Sequence, residues 1–404
     1  MKNSLISISK LIRSPNNPVR AAYVFGFASL SSWMPLFNVW LEDAGLDGIR
    51  IGTIAAIPWA VMLILQPLWG IVADRYGKLL CLKISAFAAL LLFAAMPLTG
   101  GSILQIAILT FLISVFNTPI LPLLDSLALD YVDASSGGIS YSNIRFWGAP
   151  GYGLGALVTG WLIPVLGIHV AFFSASAFLV LFLLAARKLI SGQGNHKSMD
   201  ISFKDLNHVI TGRSLLLFLL VIFIVAIGQS AITFFLTLYM RQIGASPEIT
   251  GTAISIQAFG ELPWYFIAGW LLLRTRPERV VLIAIFGTAL RLFFYSINSI
   301  PNVVLLIEPM NGITWTLLWI ASVEYVNEIV PVVWRTTGQS LLWAAYFGAG
   351  SIAGSIISGR LYQDMDMHRV YSIISLAILC TAVLASFIFL FRKRKISPEH
   401  VQDS

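Results

Sequence analysis

Charged residues are scarce in this chain, since Asp, Glu, Lys and Arg make up only 11% of its 404 residues. Soluble globular domains carry about 25%, so the composition excludes a chain built mainly of soluble domains. Hydrophobic residues make up 57% of the sequence, and its mean hydropathy is +0.83. They form repeated apolar blocks of about 20 residues, the length that a helix needs to cross a bilayer. The sequence therefore predicts a polytopic membrane protein.

Cysteine and histidine are also rare. The two cysteines, Cys81 and Cys380, lie inside or at the edge of apolar blocks and indicate no disulfide framework. Four of the five histidines lie outside the predicted spans, at positions 196, 208, 368 and 400, and His169 lies at the first edge of the span 168–187. We therefore expect no histidine proton relay in the membrane core, and no nucleophile–histidine or metal-ligand cluster there. The sequence predicts neither an enzyme nor a bound cofactor.

The apolar blocks predict an all-α membrane protein with twelve transmembrane helices. The predicted spans are 20–41, 51–73, 79–98, 103–131, 140–165, 168–187, 214–240, 248–273, 279–297, 301–329, 336–361 and 369–391. The longest polar stretch lies mid-chain and is typical of a linker between two six-helix bundles. We therefore divide the chain into an N-terminal half (1–187), a linker (188–213), a C-terminal half (214–391) and a basic tail (392–404).

The basic residues are distributed unevenly between the two predicted faces. One face holds only Arg50, Arg241, Arg360 and Arg369, whereas the face with the termini and the linker collects most of the other Lys and Arg. This asymmetry predicts that both termini and the linker are cytoplasmic, with the chain in a bacterial inner membrane. It also explains the formal net charge of +7 through topology and contacts with the lipid bilayer. No nucleic-acid partner is expected.

An internal repeat relates the two halves at an offset of 199 residues. The segment Ile51–Ile57 resembles Thr250–Ile256, and Gly70 and Arg75 match Gly269 and Arg274 at the same offset. A second region keeps this register, with Gly151, Gly155 and Gly160 matching Gly350, Gly354 and Gly359. Six spans per repeat with the same orientation indicate a parallel duplication, as in secondary transporters. The substrate site is then expected between the halves, near the bilayer midplane.

Five ionisable residues stand out well inside predicted spans, and an ionisable residue at the centre of a span costs roughly 2.5–3.5 kcal/mol on insertion scales. Counting from the loops at about 1.5 Å per residue places Asp125 and Arg145 at similar depth, so they are expected to pair. The same count places Glu261, Arg291 and Glu308 at one level of the C-terminal half. Packing ion pairs without a transport role are the alternative, because a buried pair is weak evidence for stability.

The second predicted span ends in a motif that reads Gln66-Pro-Leu-Trp-Gly70-Ile-Val-Ala-Asp74-Arg75-Tyr-Gly77-Lys78. It resembles the signature of the major facilitator superfamily between helices 2 and 3. The resemblance implies that the glycines permit a tight turn and close helix approach. It also implies that Asp74, Arg75 and Lys78 lock the cytoplasmic gate, so Gly70, Asp74, Arg75, Gly77 and Lys78 are the predicted gating residues.

Within that superfamily, the chain resembles the lactose permease and phenylpropionate permease group of proton symporters. The segments that carry the resemblance are Pro35–Asp43, Pro119–Ala128, Ile144–Gly148, Gly260–Glu261, Leu290–Arg291, Asn311–Trp315 and Glu324–Val326. The resemblance implies that Asp125, Arg145 and Glu261 bind substrate, that Tyr152 stacks on a sugar, and that Arg291 assists deprotonation of the coupling acid.

The sequence also departs from the lactose permease pattern. Asn311 and Thr314 stand where that permease has a histidine and a carboxylate, and Val225 and Gly228 lie near two of its aspartates. The familiar proton site is therefore incomplete, so the coupling acid is expected to be Glu308 or Glu261, held beside Arg291. Trp264, Asn311 and Trp315 complete the predicted substrate contacts, because they neighbour Glu261 or share a helix face with Glu308.

The leading functional hypothesis is a proton-coupled importer of a small polar solute, with sugars or glycosides first. Carboxylates suit hydroxyl groups, and aromatic faces suit a sugar ring. An aromatic or organic acid or a nucleoside is the alternative substrate, with Arg145 or Arg291 as counter-charge for an acid. Efflux by antiport is a third hypothesis, since Gly148-Ala-Pro-Gly151 loosely resembles an antiporter motif. A non-transporting sensor is disfavoured by the five membrane charges, and we expect a monomer.

Overall fold

The computed structural model describes residues 17–134, 141–189, 212–331 and 334–390. These ranges are helical and contain no strand. The predicted basic tail lies outside the described residues, and so does most of the predicted linker, residues 190–211. The prediction of an all-α membrane protein is confirmed.

Twelve helical spans, α1–α12, follow one another along the described ranges. They are α1 (Asn17–Trp33 and Phe37–Asp43), α2 (Gly48–Tyr76), α3 (Lys78–Ala95), α4 (Ile103–Asn117 and Ile120–Ala134), α5 (Tyr141–Arg145 and Gly148–Leu166), α6 (Val170–Ala186), α7 (Arg213–Gln242), α8 (Pro247–Gly260 and Leu262–Leu272), α9 (Pro277–Ile297), α10 (Pro301–Ile307 to Leu318–Ile329), α11 (Arg335–Trp343 to Ser351–Asp364) and α12 (Met367–Leu390). Ten of them are long and apolar enough to cross a membrane, while α6 is short and α8 is interrupted. The helices match the twelve predicted spans closely.

Several spans are discontinuous near prolines. A proline lacks the N–H that would bond the carbonyl four residues earlier, and its ring crowds that carbonyl. Pro35 lies in the break of α1, Pro119 in that of α4, and Pro263 directly after the break of α8 at Glu261. In α10, Pro309 lies in a 3-10 turn, Glu308–Met310, which a π-helical segment, Gly312–Leu317, follows. Irregular backbone at membrane depth is tolerated where it is buried in protein or lines a cavity, and such breaks are typical of transporter binding sites.

Glycines bring helices together at equivalent places in the two halves. Gly151 of α5 packs on the backbone of Val24 in α1, and Gly350 of α11 packs near the carbonyl of Phe223 in α7. One turn on, Gly155 meets Ala28 and Gly354 meets Ile227. Both members of each contact are shifted by the 199 residues of the repeat. The structure thus reproduces the internal register that the sequence indicates.

The two halves touch each other at one end of the molecule, which we call the closed end. It carries the α1–α2, α5–α6 and α7–α8 turns. There α2 packs on α11 and α5 packs on α8. A Cβ atom on Gly52 would lie 2.5 Å from the carbonyl oxygen of Ser355, and one on Gly251 would lie 3.0 Å from Cα of Gly160. Only glycine permits this approach.

The opposite end, which we call the open end, shows no such packing among the described helices. The second parts of α2 and α8 are exposed around most of their circumference. The repeat makes Gly70 and Gly269 equivalent, and a Cβ atom on either would meet nothing within 4 Å beyond its own helix backbone. The described helices therefore enclose a wedge-shaped space between the halves that widens toward the linker side.

Candidate functional site

Asp125 and Arg145 lie together in the N-terminal half, as their equal predicted depth required. Arg145 ends the short first part of α5, and its Nε lies 3.7 Å from Oδ1 of Asp125 in α4. Their side chains are 35% exposed for Asp125 and 41% for Arg145, so both are accessible from the space between the halves. The guanidinium also lies 4.4 Å from the ring centre of Phe27 in α1, a cation–π contact.

Tyr23 holds this pair from α1. Its hydroxyl donates a 2.5 Å hydrogen bond to the same Oδ1 of Asp125, and the tyrosine is fully buried. The sequence analysis missed Tyr23, since it lies 102 residues from Asp125. The only sequence feature that points to Tyr23 is its spacing of one helical turn from Phe27, which places the two rings on the same face of α1.

A second network lies in the C-terminal half around Arg291, which is fully buried together with Glu308. Nη2 of Arg291 donates to Oε2 of Glu308 at 2.6 Å, and its Nε donates to the Tyr295 hydroxyl at 2.9 Å. Tyr295 in turn donates to Oε1 of Glu308 at 2.7 Å. Each charge is thus matched and hydrogen-bonded, as a buried pair requires.

Asn311 connects this network to Glu261. Its side-chain oxygen accepts from Nη1 of Arg291 at 2.6 Å, and its Nδ2 donates to Oε1 of Glu261 at 2.6 Å. Glu261, Arg291 and Glu308 are thus joined in one network, in which Asn311 stands between Glu261 and Arg291. The amide that replaces the family's histidine supplies the link, since it donates and accepts at once.

Glu261 also faces the other half of the molecule. It lies in the break of α8, which packs on α5. Arg145 and Tyr152 of α5 are both near enough to interact with it electrostatically. The two predicted substrate clusters therefore lie near each other where the halves meet.

The two predicted tryptophans lie on the C-terminal side of this site. Trp264 of α8 packs on Gly312 of α10, where any side chain on residue 312 would collide with its indole. Trp315 lies in the π-helical part of α10 and joins an aromatic cluster with Trp319 and Phe347. Trp264 thus fixes the α8–α10 contact, while Trp315 borders the space between the halves.

The predicted gating residues lie at the open end. Gly77, with φ of +96°, joins α2 to α3 in a conformation that favours glycine. Asp74 and Arg75 are exposed, and among the described residues no ion pair includes Asp74. Lys78 lies 2.8 Å from Asp130 of α4, a partner that the sequence analysis missed.

Charged residues at the closed end form a cross-half cluster that the sequence analysis treated only as topology signals. Nη1 of Arg241 in α7 lies 2.5 Å from Oδ1 of Asp43 and 3.3 Å from Oε2 of Glu42, both in α1. Tyr362 of α11 donates a 2.5 Å hydrogen bond to Glu42. Two carboxylates, an arginine and a tyrosine thus join the halves above the site.

Comparison with known proteins identifies the class to which this architecture belongs. The MFS_1 like family matches residues 18–373. The maltose permease of Geobacillus stearothermophilus is 28% identical over 92% of this chain and 93% of its own. The probable 3-phenylpropionic acid transporter of Escherichia coli K12 is 22% identical over 88% and 93%. Among solved structures, the nucleoside transporter NupG superposes with a TM-score of 0.81 at 18% identity, covering 93% of this chain and 99% of its own.

Proposed function

Because the chain belongs to the MFS_1 like family and is a multi-pass major facilitator transporter, we propose that it imports a neutral, polyhydroxylated solute with protons. Sugars and glycosides are the substrate class that we favour. The proposal rests on how the charges of the site are matched.

Each arginine of the site already has a carboxylate partner. Arg145 pairs with Asp125, and Arg291 pairs with Glu308. Glu261 is left with an amide donor, Asn311, so the five residues carry a formal charge of −1 when all are ionised. An anionic substrate would meet excess negative charge here, whereas hydroxyl groups would find carboxylate acceptors and the half-exposed guanidinium of Arg145 as a donor. This disfavours an organic acid and supports a neutral sugar.

The similarity to a maltose permease over nearly the full length of both chains supports the same class. The relatives also include multidrug resistance proteins, such as MdtG of Citrobacter koseri at 26% identity. A negative site also suits an organic cation, so cation efflux is the second candidate. The two differ in the direction of transport and in the charge of the ligand.

Glu308 is the carboxyl that we propose carries the coupled proton. It is sealed from solvent, and both of its oxygens are bonded to Arg291 or Tyr295. When Glu308 is protonated, Arg291 loses its charge partner, and a buried unpaired arginine is costly. The nearest remaining carboxylate is Glu261, already linked through Asn311. Protonation of Glu308 would thereby draw Arg291 toward the substrate-binding carboxylate, which links the two binding events.

We further propose that the closed end faces outward and the open end faces the cytoplasm. The excess of Lys and Arg on the linker side supports this orientation. The structure then corresponds to an inward-facing state, and the Arg241 cluster acts as the outer gate.

Transport by proteoliposomes tests the function. Purified protein would be reconstituted, an inward proton gradient imposed, and uptake measured for neutral sugars, 3-phenylpropionate, nucleosides and a lipophilic cation. We expect uphill accumulation of a neutral sugar that collapses with a protonophore. Accumulation of the carboxylate, or export of the cation, would contradict the proposal.

Two carboxamide variants test the coupling. Glu308→Gln should abolish uphill accumulation while exchange between loaded vesicles continues, because the amide keeps the shape but cannot release a proton. Glu261→Gln should instead raise the substrate Kd by about tenfold, as expected for loss of a hydrogen bond to a charged group. If both variants still accumulate solute, coupling through these acids is wrong.

A further inference from the structure

An aromatic wall borders the site on the C-terminal half. We define it as Trp315 and Trp319 of α10 with Trp343 and Phe347 of α11. Phe347 contacts the other three side chains. Its ring centre lies 4.6 Å from that of Trp343, 5.2 Å from that of Trp319 and 5.7 Å from that of Trp315. The indoles of Trp315 and Trp319 are nearly parallel, 20° apart, at 5.6 Å.

The wall begins beside the polar site and continues toward the open end. Trp315 follows Asn311 by four residues and Trp319 follows it by eight, which places them roughly 6 Å and 12 Å deeper along α10. Asn311 contacts Glu261 directly, so the wall starts one helical turn from the carboxylate that we assign to the substrate. A single sugar ring held by Glu261 would reach Trp315, and only a second linked ring would reach Trp319.

The wall faces the space between the halves. Phe347 stacks on Trp59 of α2, in the other half, at 5.9 Å and 17°. Trp343 is 45% exposed, and Trp315, Trp319 and Phe347 are only partly buried.

Two further observations mark this place as a ligand site. Nε1 of Trp59 is buried without a hydrogen-bond partner among the described residues, and an unsatisfied buried donor costs about 1–3 kcal/mol. Trp315 and Phe347 also lie in two π-helical segments, Gly312–Leu317 and Ala344–Gly350, and Trp319 and Trp343 lie within two residues of them. The π-helix is a rare backbone form that is frequent at functional sites.

We propose that the aromatic wall is a second ring subsite, in which Trp319 and Phe347 contact the apolar face of the second ring of a glycoside. This inference rests on the proposed function and deepens it. The first ring is held by Asp125, Arg145 and Glu261, and the second lies toward the open end. The transporter therefore selects two-ring solutes over the corresponding monosaccharides.

The test measures binding of matched ligands to the purified full-length protein in detergent, by calorimetry. The probes are glucose with maltose, cellobiose and p-nitrophenyl glucoside, and galactose with lactose and melibiose. At least one two-ring ligand should bind about tenfold more tightly than its monosaccharide, in line with aromatic stacking contributions. Trp319→Leu should remove this advantage and leave the monosaccharide Kd within about twofold. Trp161→Leu, which changes a 62% exposed tryptophan of α5 away from the wall, should change neither.

The outcomes separate the two proposals. If no sugar of either size binds the wild type, the proposed function fails and the subsite with it. If monosaccharides bind as tightly as the two-ring ligands, or Trp319→Leu keeps the advantage, the subsite is wrong while the sugar transporter stands. Should Trp319→Leu fail to fold, Phe347→Leu takes its place with the same expected loss. An equal loss for both ligand sizes would also overturn the subsite, since it indicates a general packing defect.

Discussion

The glycine contacts of the closed end allow the conformational equilibrium to be shifted in a chosen direction. Replacing Gly52 by valine adds a Cβ 2.5 Å from the carbonyl oxygen of Ser355 and 2.9 Å from Cα of Gly359. Both neighbours are backbone atoms of α11, so no side-chain rotation relieves the clash. Overpacking of this kind costs about 1–3 kcal/mol.

That cost falls only on the state in which the closed end is closed. A free-energy difference of about 1–3 kcal/mol corresponds to a roughly 5- to 150-fold shift in the ratio of the two states. We therefore expect Gly52→Val to favour the alternative conformation, in which the closed end has opened and the open end has shut. Gly70 has open space around it here, so Gly70→Val should act in the opposite direction if, as predicted, Gly70 packs closely when the gate at its end shuts.

Cysteine labelling provides the assay. The background protein lacks Cys81 and Cys380, and Asn38→Cys is the reporter. Asn38 is buried between α1 and α7, where its side chain donates to the carbonyl of Phe234 in the other half. A membrane-impermeant maleimide should label it faster in Gly52→Val and more slowly in Gly70→Val. Thr53→Val, an exposed neighbour on α2, should match the parent. An unchanged labelling rate in a folded Gly52→Val protein would refute the reasoning.

Two substitutions in the N-terminal cluster test how the substrate is held. Arg145→Lys keeps the charge but loses the planar guanidinium with its forked donors, so we expect the substrate Kd to rise at least about tenfold. Unchanged binding in both this variant and Asp125→Asn would exclude the pair from the site. Tyr23→Phe removes only the hydroxyl that anchors Asp125. A hydrogen bond to a charged group is worth about 1.5–3 kcal/mol, so the variant should lower the thermal stability of the apo protein and also weaken substrate binding several-fold. The matched control is Tyr371→Phe, whose hydroxyl in α12 bonds a backbone carbonyl at 3.4 Å; an equal effect of both would argue for general packing.

The twelve spans and the approach of Asp125 to Arg145 were predictable from the sequence. Helices must cross a fixed thickness of hydrocarbon, so counting residues from the turns yields depth. Two ionisable residues at one depth in adjacent spans then have strong reason to pair. The glycine repeat was predictable for a related reason, because a duplicated bundle repeats the positions where backbones touch.

The partners of the predicted residues were not predictable by the same count. Depth does not say which of several helices lies beside a residue, so Tyr23 beside Asp125 and Asp130 beside Lys78 became visible only in the fold. The Arg241 cluster was missed because a basic residue near a turn already has a topological explanation. Its position between α1, α7 and α11 gives it a structural role as well.

Asn311 shows how a departure from a family pattern is read correctly only in three dimensions. In the sequence, its amide replaces a histidine and leaves the proton site incomplete. In the structure, its side-chain oxygen accepts from Arg291 and its nitrogen donates to Glu261. The amide therefore connects a buried arginine to a carboxylate of the candidate site. An amide cannot carry a proton, but it orients by the charges on either side. Under the proposed function, the proton is then carried by Glu308, and the linkage between proton and substrate would run through the position of Arg291.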